Sequence, residues 1–268
     1  MKKKILVFIP TYNCKSQIIR VIRQFDKSIQ NYLTTVLLVD NKSLDNTLQI
    51  SVKASSKKFK YCRFKALENK KNYGLGGSHK VAFRYAVDNK YDYLIVLHGD
   101  DQASIKDIIP LLKNGLHTKY DCLLGSRFMK SSKLLGYSKF RTFGNRVYNL
   151  LFSMILGKKV SDLGSGLNLY SLNSFQKFYY KKFPDNLTFN YVMILASYHL
   201  NQRVLYFPIS WREEDQVSNV KLFKQAFNVL FMLLKFSFNR NKFLLSELRE
   251  KKINDYFGDI KFDNNHEG

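Results

Sequence analysis

The sequence predicts an α/β fold, an open and mostly parallel sheet flanked by helices. Two observations carry this. Short continuous apolar runs, of the kind found in strands buried on both faces, alternate with stretches of helical period through the first half of the chain. Polar residues then follow several of these runs directly, and in such sheets ligands bind beyond the carboxyl ends of the strands. Residues 5–9 form the first apolar run. Over 16–31, apolar residues at 18, 19, 22, 25 and 29 keep a helical spacing. A second strand at 35–40 (TVLLVD) leads to a helix at 45–55 with Asp45 near its start. A third strand at 62–66 precedes a helix at 76–89. A fourth, 93–97 (YLIVL), runs into the polar turn HGDD, then a helix at 105–114 and a strand entry at 122–124.

The second half is less regular. Residues 140–156 are helical and very apolar after Arg146. Residues 162–170 (DLGSGLNLY) read as a Gly/Ser turn entering a strand. A helix at 187–200, a strand at 204–209, a polar loop at 211–222 and one long apolar-rich helix at 222–238 follow. The mixed-charge stretch 247–268 reads as a peripheral helix and a loose tail. The boundaries expected are a main domain over 1–221, amphipathic membrane-interface helices over 222–250 and a tail over 251–268.

Charge and cysteines bound the function. Among 268 residues, 44 Lys and Arg against 21 Asp and Glu give a formal net charge of +23. The excess spreads over the first 200 residues, so it belongs to the folded body. It favours a polyanionic partner, either nucleic acid, an anionic membrane surface or a phosphorylated substrate; a merely lysine-rich composition is the alternative. Cys14, Cys62 and Cys122 lie far apart with no CxxC, which argues against a zinc cage or disulfide framework and for a reducing compartment. The N-terminal apolar run is too short for a signal peptide, and no stretch of 18 apolar residues predicts a spanning helix.

Three constellations carry chemistry. Asp40, Asn41 and Asp45 follow the second strand, where a carboxylate can accept hydrogen bonds from a base or ribose, or simply cap a turn. Residues 72–79 (NYGLGGSH) place glycines where a backbone could approach a ligand at a helix N-terminus, or where a tight turn needs them. His98-Gly99-Asp100-Asp101-Gln102 clusters carboxylates at a strand end, which is costly without a cation; oxygen donors suit Mg²⁺ or Mn²⁺, and His98 is a borderline ligand. Asp101 reads as the cap of the next helix.

Taken together, VFIPTYN (7–13), VDNKSLDNT (39–47), NYGLGGSHKVAFRYA (72–86), LHGDDQ (97–102), GSRF (125–128), DLGSGLNLY (162–170) and PISW…SNVKL (208–222) resemble family 2 glycosyltransferases of GT-A fold, with a Rossmann-like sheet, and among them the polyprenyl-phosphate and dolichol-phosphate sugar synthases. The resemblance implies a UDP- or GDP-linked sugar donor, a divalent metal and inversion at the anomeric carbon. It puts Pro10, Tyr12, Asn13, Asp40, Gly76 and Asp100 at the donor, and His98, Asp100 and Gln102 at the metal. Arg127 falls near the phosphates and acceptor, and Arg141, Asn145, Ser165, Ser218 and Lys221 fall on the acceptor side. His98 stands where the family has an aspartate, and Asn41-Lys42 where it has a second carboxylate and a glycine.

A hydroxyl acceptor needs a general base, for which Asp185 and the run Glu213-Glu214-Asp215 are candidates, whereas a lipid phosphate is already anionic. The expectation is transfer to a polyprenyl phosphate or lipid-linked glycan for cell-surface glycans, with a hydroxyl of a polysaccharide as the alternative. Polar positions 221, 224, 225, 228, 235 and 239 share one side of the long helix, and its wide apolar face predicts peripheral attachment at the cytoplasmic face of an anionic membrane. Packing on the core is the competing role for that face. A nucleic-acid-binding protein, suggested only by charge and lacking any recognised motif, is the reading from another class, and no nucleic-acid partner is expected. A nucleotidyltransferase is a third.

Overall fold

The computed structural model describes residues 3–173, 180–215 and 222–264. β1 (Ile5–Thr11) is buried along its whole length, as its unbroken apolar run requires. α1 (Lys15–Arg23) and the short α2 (Lys27–Gln30) lead to β2 (Thr35–Asp40). The one helix expected over 16–31 is broken because Asp26 accepts from the Ile29 amide and starts a second turn. α3 (Thr47–Ser55), β3 (Arg63–Asn69), α4 (Gly74–Asp88) and β4 (Tyr93–Leu97) follow as the pattern predicts. A 3-10 turn, α5 (Ile109–Lys113) and α6 (Leu116–Lys119) lead to β5 (Cys122–Ser126).

The second half adds β6 (Lys133–Leu135), α7 (Lys139–Leu156), β7 (Leu167–Ser171), α8 (Phe189–His199), β8 (Val204–Pro208), β9 (Ser210–Arg212), α9 (Leu222–Phe238), α10 (Arg240–Leu245) and β10 (Gly258–Asp263). Eight strands form one sheet in the order β10-β3-β2-β1-β4-β7-β5-β8. The pairs β1–β2, β1–β4, β2–β3 and β5–β8 are parallel; β7 and β10 pair antiparallel. β6 and β9 make a small parallel ribbon beside the sheet. One apolar layer centres on α4, α8 and α9, the other on α1 and the inward side chains of β1, β2 and β4.

Three expectations change. Within 211–222, read as loop, Trp211 and Arg212 belong to β9, and Trp211 is buried. Within the expected tail, 258–263 is a strand: β10 closes the sheet edge on β3, with Asp263 holding Arg63 and Lys65. The segment 222–250 is not set apart from the main domain. Val229, Leu233, Phe236, Phe243 and Leu244 are buried in the α4–α8 layer.

A buried ion pair locks the C-terminal segment to that layer. Lys80 Nζ lies 2.6 Å from Asp185 Oδ1 and donates to the Phe183 carbonyl. Tyr256 donates its hydroxyl to the same carboxylate at 2.8 Å. Burial pulls the Lys80 ammonium down to about 8, against the pull of Asp185 in the other direction. A depressed lysine binds fewer protons folded than unfolded between that value and its ordinary 10.5, so its contribution to stability rises with pH across this window and is lost below it. Unfolding free energy of the native protein relative to Lys80→Met should therefore climb by about 1 kcal/mol per pH unit between pH 8 and 9.5. Parallel denaturation curves at the two pH values check this; a pH-independent difference contradicts it.

Candidate active site

The carboxyl ends of β2, β1 and β4 lie side by side, so Asp40, Thr11 and the turn after Leu97 meet at one edge of the sheet. Asp40 is buried. Its carboxylate accepts from the Ser43 amide at 2.9 Å and the Ser43 hydroxyl at 2.6 Å, which shapes the turn after β2. Asn13, at φ 50°, donates its amide to the Ser43 hydroxyl and accepts the Leu44 amide, and this ties the end of β1 to the same turn. Tyr12 beside it is exposed. Cys14 sits beneath; burial pushes its thiol up to about 12, with Asp100, Asp45 and Asp40 near enough to add to the shift. Pro10, Asn13, Asp40 and Asp100, expected at the donor, thus share one edge.

Gly99 allows β4 to end against β1. Its amide donates to the Pro10 carbonyl at 3.1 Å, and a Cβ there would stand 2.7 Å from Thr11 Cγ2. Asp100 and Gln102 are half-buried at this edge, and the Gln102 amide donates to Asp100 Oδ1. Their oxygens are the hard donors a divalent cation takes. His98 is different. Its Nε2 is out of solvent contact without a partner, its ring lies 6.3 Å from that of His79, and Gly166 presses on it. Burial holds the His98 imidazole below its ordinary range, with Asp100 opposing and Arg127 reinforcing. Among the described residues, no group of three or more His, Cys, Asp and Glu forms a metal cage.

Arg127, at the end of β5, organises the other side. It donates from Nε and Nη2 to Asp162 at 2.8 and 2.7 Å, and from its amide to the same carboxylate at 2.8 Å. Burial lowers the guanidinium, but the charge and hydrogen bonds of Asp162 outweigh it and hold Arg127 above its ordinary value. Its Nη1 donates to the Tyr137 hydroxyl, which also receives Asn145 Nδ2 at 2.9 Å. Arg141 stacks on Tyr137 at 4.9 Å and pairs with Glu213, while Trp211 lies 4.8 Å from the Arg127 guanidinium. Arg127, Arg141 and Asn145, which the resemblance assigns to the acceptor side, are therefore gathered around Tyr137. Ser165 is buried nearby, its hydroxyl bonded to the Leu167 carbonyl. Ser218 and Lys221 lie outside the described residues.

Two expected site residues have other duties. Gly76 does not face a ligand: its amide and that of Gly77 donate to the Asp185 carbonyl, and a Cβ on Gly76 would stand 2.3 Å from the Pro184 carbonyl oxygen. The glycine-rich turn exists for this backbone contact. Asp185 is held by Lys80 and Tyr256, so its carboxylate is committed to the C-terminal lock. Asp101 does not cap the next helical turn, which Ser104 starts by accepting the Lys106 amide. Its buried carboxylate takes Arg20 Nε at 2.6 Å and Gln24 Nε2 at 3.0 Å, and pairs with Arg212. Tyr137 and Arg20 were missed as site residues because no local pattern marks them; Trp211 closes the PISW motif and Asp162 opens the DLGSG turn, but neither carried an assigned role.

Comparison with known proteins gives the same frame. The sequence model of the family "Glycosyl transferase family 2" matches residues 6–179. An undecaprenyl-phosphate mannosyltransferase of Micrococcus luteus is 22% identical over 79% of this chain and 85% of its own. A UDP-N-acetylglucosamine–dolichyl-phosphate N-acetylglucosaminyltransferase of Methanococcus voltae is 23% identical over 63% of this chain and 70% of its own. Among solved structures, glucosyl-3-phosphoglycerate synthase of Mycobacterium tuberculosis, in complex with Mn²⁺, UDP and phosphoglyceric acid, superposes with a TM-score of 0.64 at 12% identity, over 88% of this chain and 79% of that one. That likeness establishes the GT-A fold.

Arg127→Ala leaves Asp162 charged and buried without its partner, and should destabilise the protein by about 3–5 kcal/mol. The double change Arg127→Ala with Asp162→Ala should cost clearly less than the sum of the two single changes, because the pair is then removed together. Urea denaturation of the four proteins of this cycle measures the difference, and strict additivity would refute the assigned pairing.

Proposed function

Because the chain belongs to glycosyl transferase family 2, we propose that this glycosyltransferase moves a sugar, with inversion, from a UDP- or GDP-linked donor to a polyprenyl phosphate at a membrane surface. The observation that carries the lipid-phosphate acceptor is the two-sidedness of α7. One face directs Arg141 and Asn145 to the Tyr137 cluster. The opposite face leaves Phe140, Phe143, Val147, Leu150 and Met154 exposed at helical spacing. α9 packs beside α7 and repeats the arrangement, with Val229, Leu233 and Phe236 buried and Phe227, Phe231, Leu234 and Phe238 exposed. The packing role weighed for the long helix accounts for its buried face, and the exposed face is the one proposed for the membrane. Contiguous exposed apolar faces of this kind suit a lipid interface, and the basic body suits anionic headgroups. No helix among the described residues is long and apolar enough to cross a membrane, so the attachment proposed is peripheral. The three buried free cysteines agree with the cytoplasmic face.

Three of the four carboxylates nominated as bases also favour a phosphate acceptor. Asp185 is held by Lys80, Glu213 by Arg141 and Asp215 by Arg20. A hydroxyl acceptor needs a base to remove its proton; a phosphate monoester does not. The resemblance puts Arg127 and Arg141 on the acceptor side, where an anionic acceptor would compete with Asp162 and Glu213 for their N–H groups. On the donor side, the turn shaped by Asp40, Asn13 and Ser43 offers the base and ribose a polar edge. Asp100 and Gln102 would hold a divalent cation, Mg²⁺ or Mn²⁺, which offsets negative charge on the departing diphosphate when bound. The relatives named for polyprenyl-phosphate substrates, and the structural neighbour complexed with Mn²⁺ and UDP, support this assignment.

A panel of UDP- and GDP-sugars, incubated with polyprenyl phosphate or with hydroxyl-bearing glycans, tests the reading. A polyprenyl phosphosugar is the expected product, and transfer to glycan hydroxyls alone would sink the phosphate acceptor. Asp100→Ala should lower turnover by about 100-fold, or 2.7 kcal/mol of transition-state stabilisation, and EDTA should abolish activity. Full activity in EDTA removes the metal. For the membrane, Phe143 and Phe231 are 68% and 60% exposed, so replacing both by Glu should leave the fold intact. The double variant should lose co-sedimentation with anionic vesicles at an unchanged melting temperature; retained binding rejects the α7–α9 face as the anchor.

A further inference from the structure

We propose that Arg20, on α1, is a positioning residue for the acceptor side of the cleft and acts through Asp101 and Asp215; the assignment of that side rests on the acceptor reading above. Asp101 follows Asp100 directly, sits at φ 62° and is buried. That backbone turns its carboxylate away from the donor edge and into the space between α1 and β9. There it meets Arg20 Nε at 2.6 Å, Gln24 Nε2 at 3.0 Å and the Arg212 guanidinium. Arg20 does not stop at Asp101. Its Nη2 donates to both oxygens of Asp215 at 2.8 and 2.9 Å. One guanidinium therefore spans the turn after β4 and the chain just beyond β9. Two carboxylates and two guanidiniums close the group without net charge, which is how Asp101 is tolerated in the interior.

What the clasp holds is the strand that places the acceptor-side arginines. The Arg212 amide donates to the Gln102 carbonyl and its Nε to the Asp101 carbonyl, which fasten β9 to the turn bearing Asp100. On β9, Trp211 packs against Arg127 at 4.8 Å; one residue past it, Glu213 pairs with Arg141. Arg20 belongs to neither the donor edge nor the Tyr137 cluster, yet it shares the Asp101 carboxylate with Arg212 of β9 and ties Asp215, just beyond that strand, to the Asp100 turn. Lysine cannot replace it, since a single ammonium lacks the planar fork that serves Asp101 and Asp215 at once.

Arg20→Met, Arg20→Lys and Asp215→Asn test this. In Arg20→Met, amide hydrogen exchange at Trp211 and Arg212 should quicken by about tenfold, while α4 amides hold their rates. The KM for the acceptor should rise by about fivefold, and nucleotide Kd should stay within about twofold of the native value. Arg20→Lys should fall between native and Met. Asp215→Asn, which leaves the buried Asp101 pairs in place, should reproduce part of the effect and covers the case in which Arg20→Met does not fold. Unchanged exchange at β9 overturns the clasp. Faster exchange with acceptor KM and nucleotide Kd moving together reduces Arg20 to a structural residue and overturns the proposal. A native protein that uses only a glycan hydroxyl would refute the phosphate reading alone; the KM comparison is then made with that acceptor, and the exchange measurement needs none.

Discussion

A carboxylate taken out of water survives as a charge only where a cation or a set of hydrogen-bond donors meets it, and three ion pairs that answer this constraint shape the functional end of the molecule. Asp101 faces Arg20 and Arg212, Asp162 faces Arg127, and Asp185 faces Lys80. Each pair joins elements remote in sequence at a point where a candidate site residue must be held. The Asp162 pair fixes Arg127 beside Tyr137. The Asp101 group fixes the ribbon strand β9 against the turn bearing Asp100. The Asp185 pair is the exception in place but not in principle: it binds the C-terminal segment through Tyr256 and leaves the glycine-rich turn packed on backbone.

The same economy explains how an unusually basic chain separates its charges. Cations near the cleft are largely occupied by carboxylates or stacked on aromatic rings, as Arg127 is with Phe128, Tyr137 and Trp211. α7 and α9 spend one face on the core and leave apolar side chains outside on the other, an arrangement that costs solubility unless a second phase covers it.

Much of the parallel half was legible because its signals are local. Unbroken apolar runs marked β1, β2 and β4, and the polar residues after them marked the edge where Asn13, Asp40 and Asp100 meet. Short or charged strands were not legible. β9 has three residues and β10 alternates charge with apolar side chains; each is a strand because a distant partner offers its backbone, Leu134 to Trp211 and Leu67 to Ile260. Gly76 and Asp185 carried the right residue types for a ligand turn and a base, but each was already engaged by the other's segment.

The sequence by itself determined the α/β class, the order of the strands up to β5, the edge at which polar residues gather and the family to which the chain belongs. The class, the strands and the edge follow from periodicity, a property of neighbouring residues, and the family from the resemblance of several ordered motifs. Only the tertiary structure decided which cation answers which carboxylate. Arg20 and Asp101 are 81 positions apart, and Lys80 and Asp185 are 105 apart. Electrostatic pairing depends on distance in space and on exclusion of water, and neither is written in the spacing of residues along the chain.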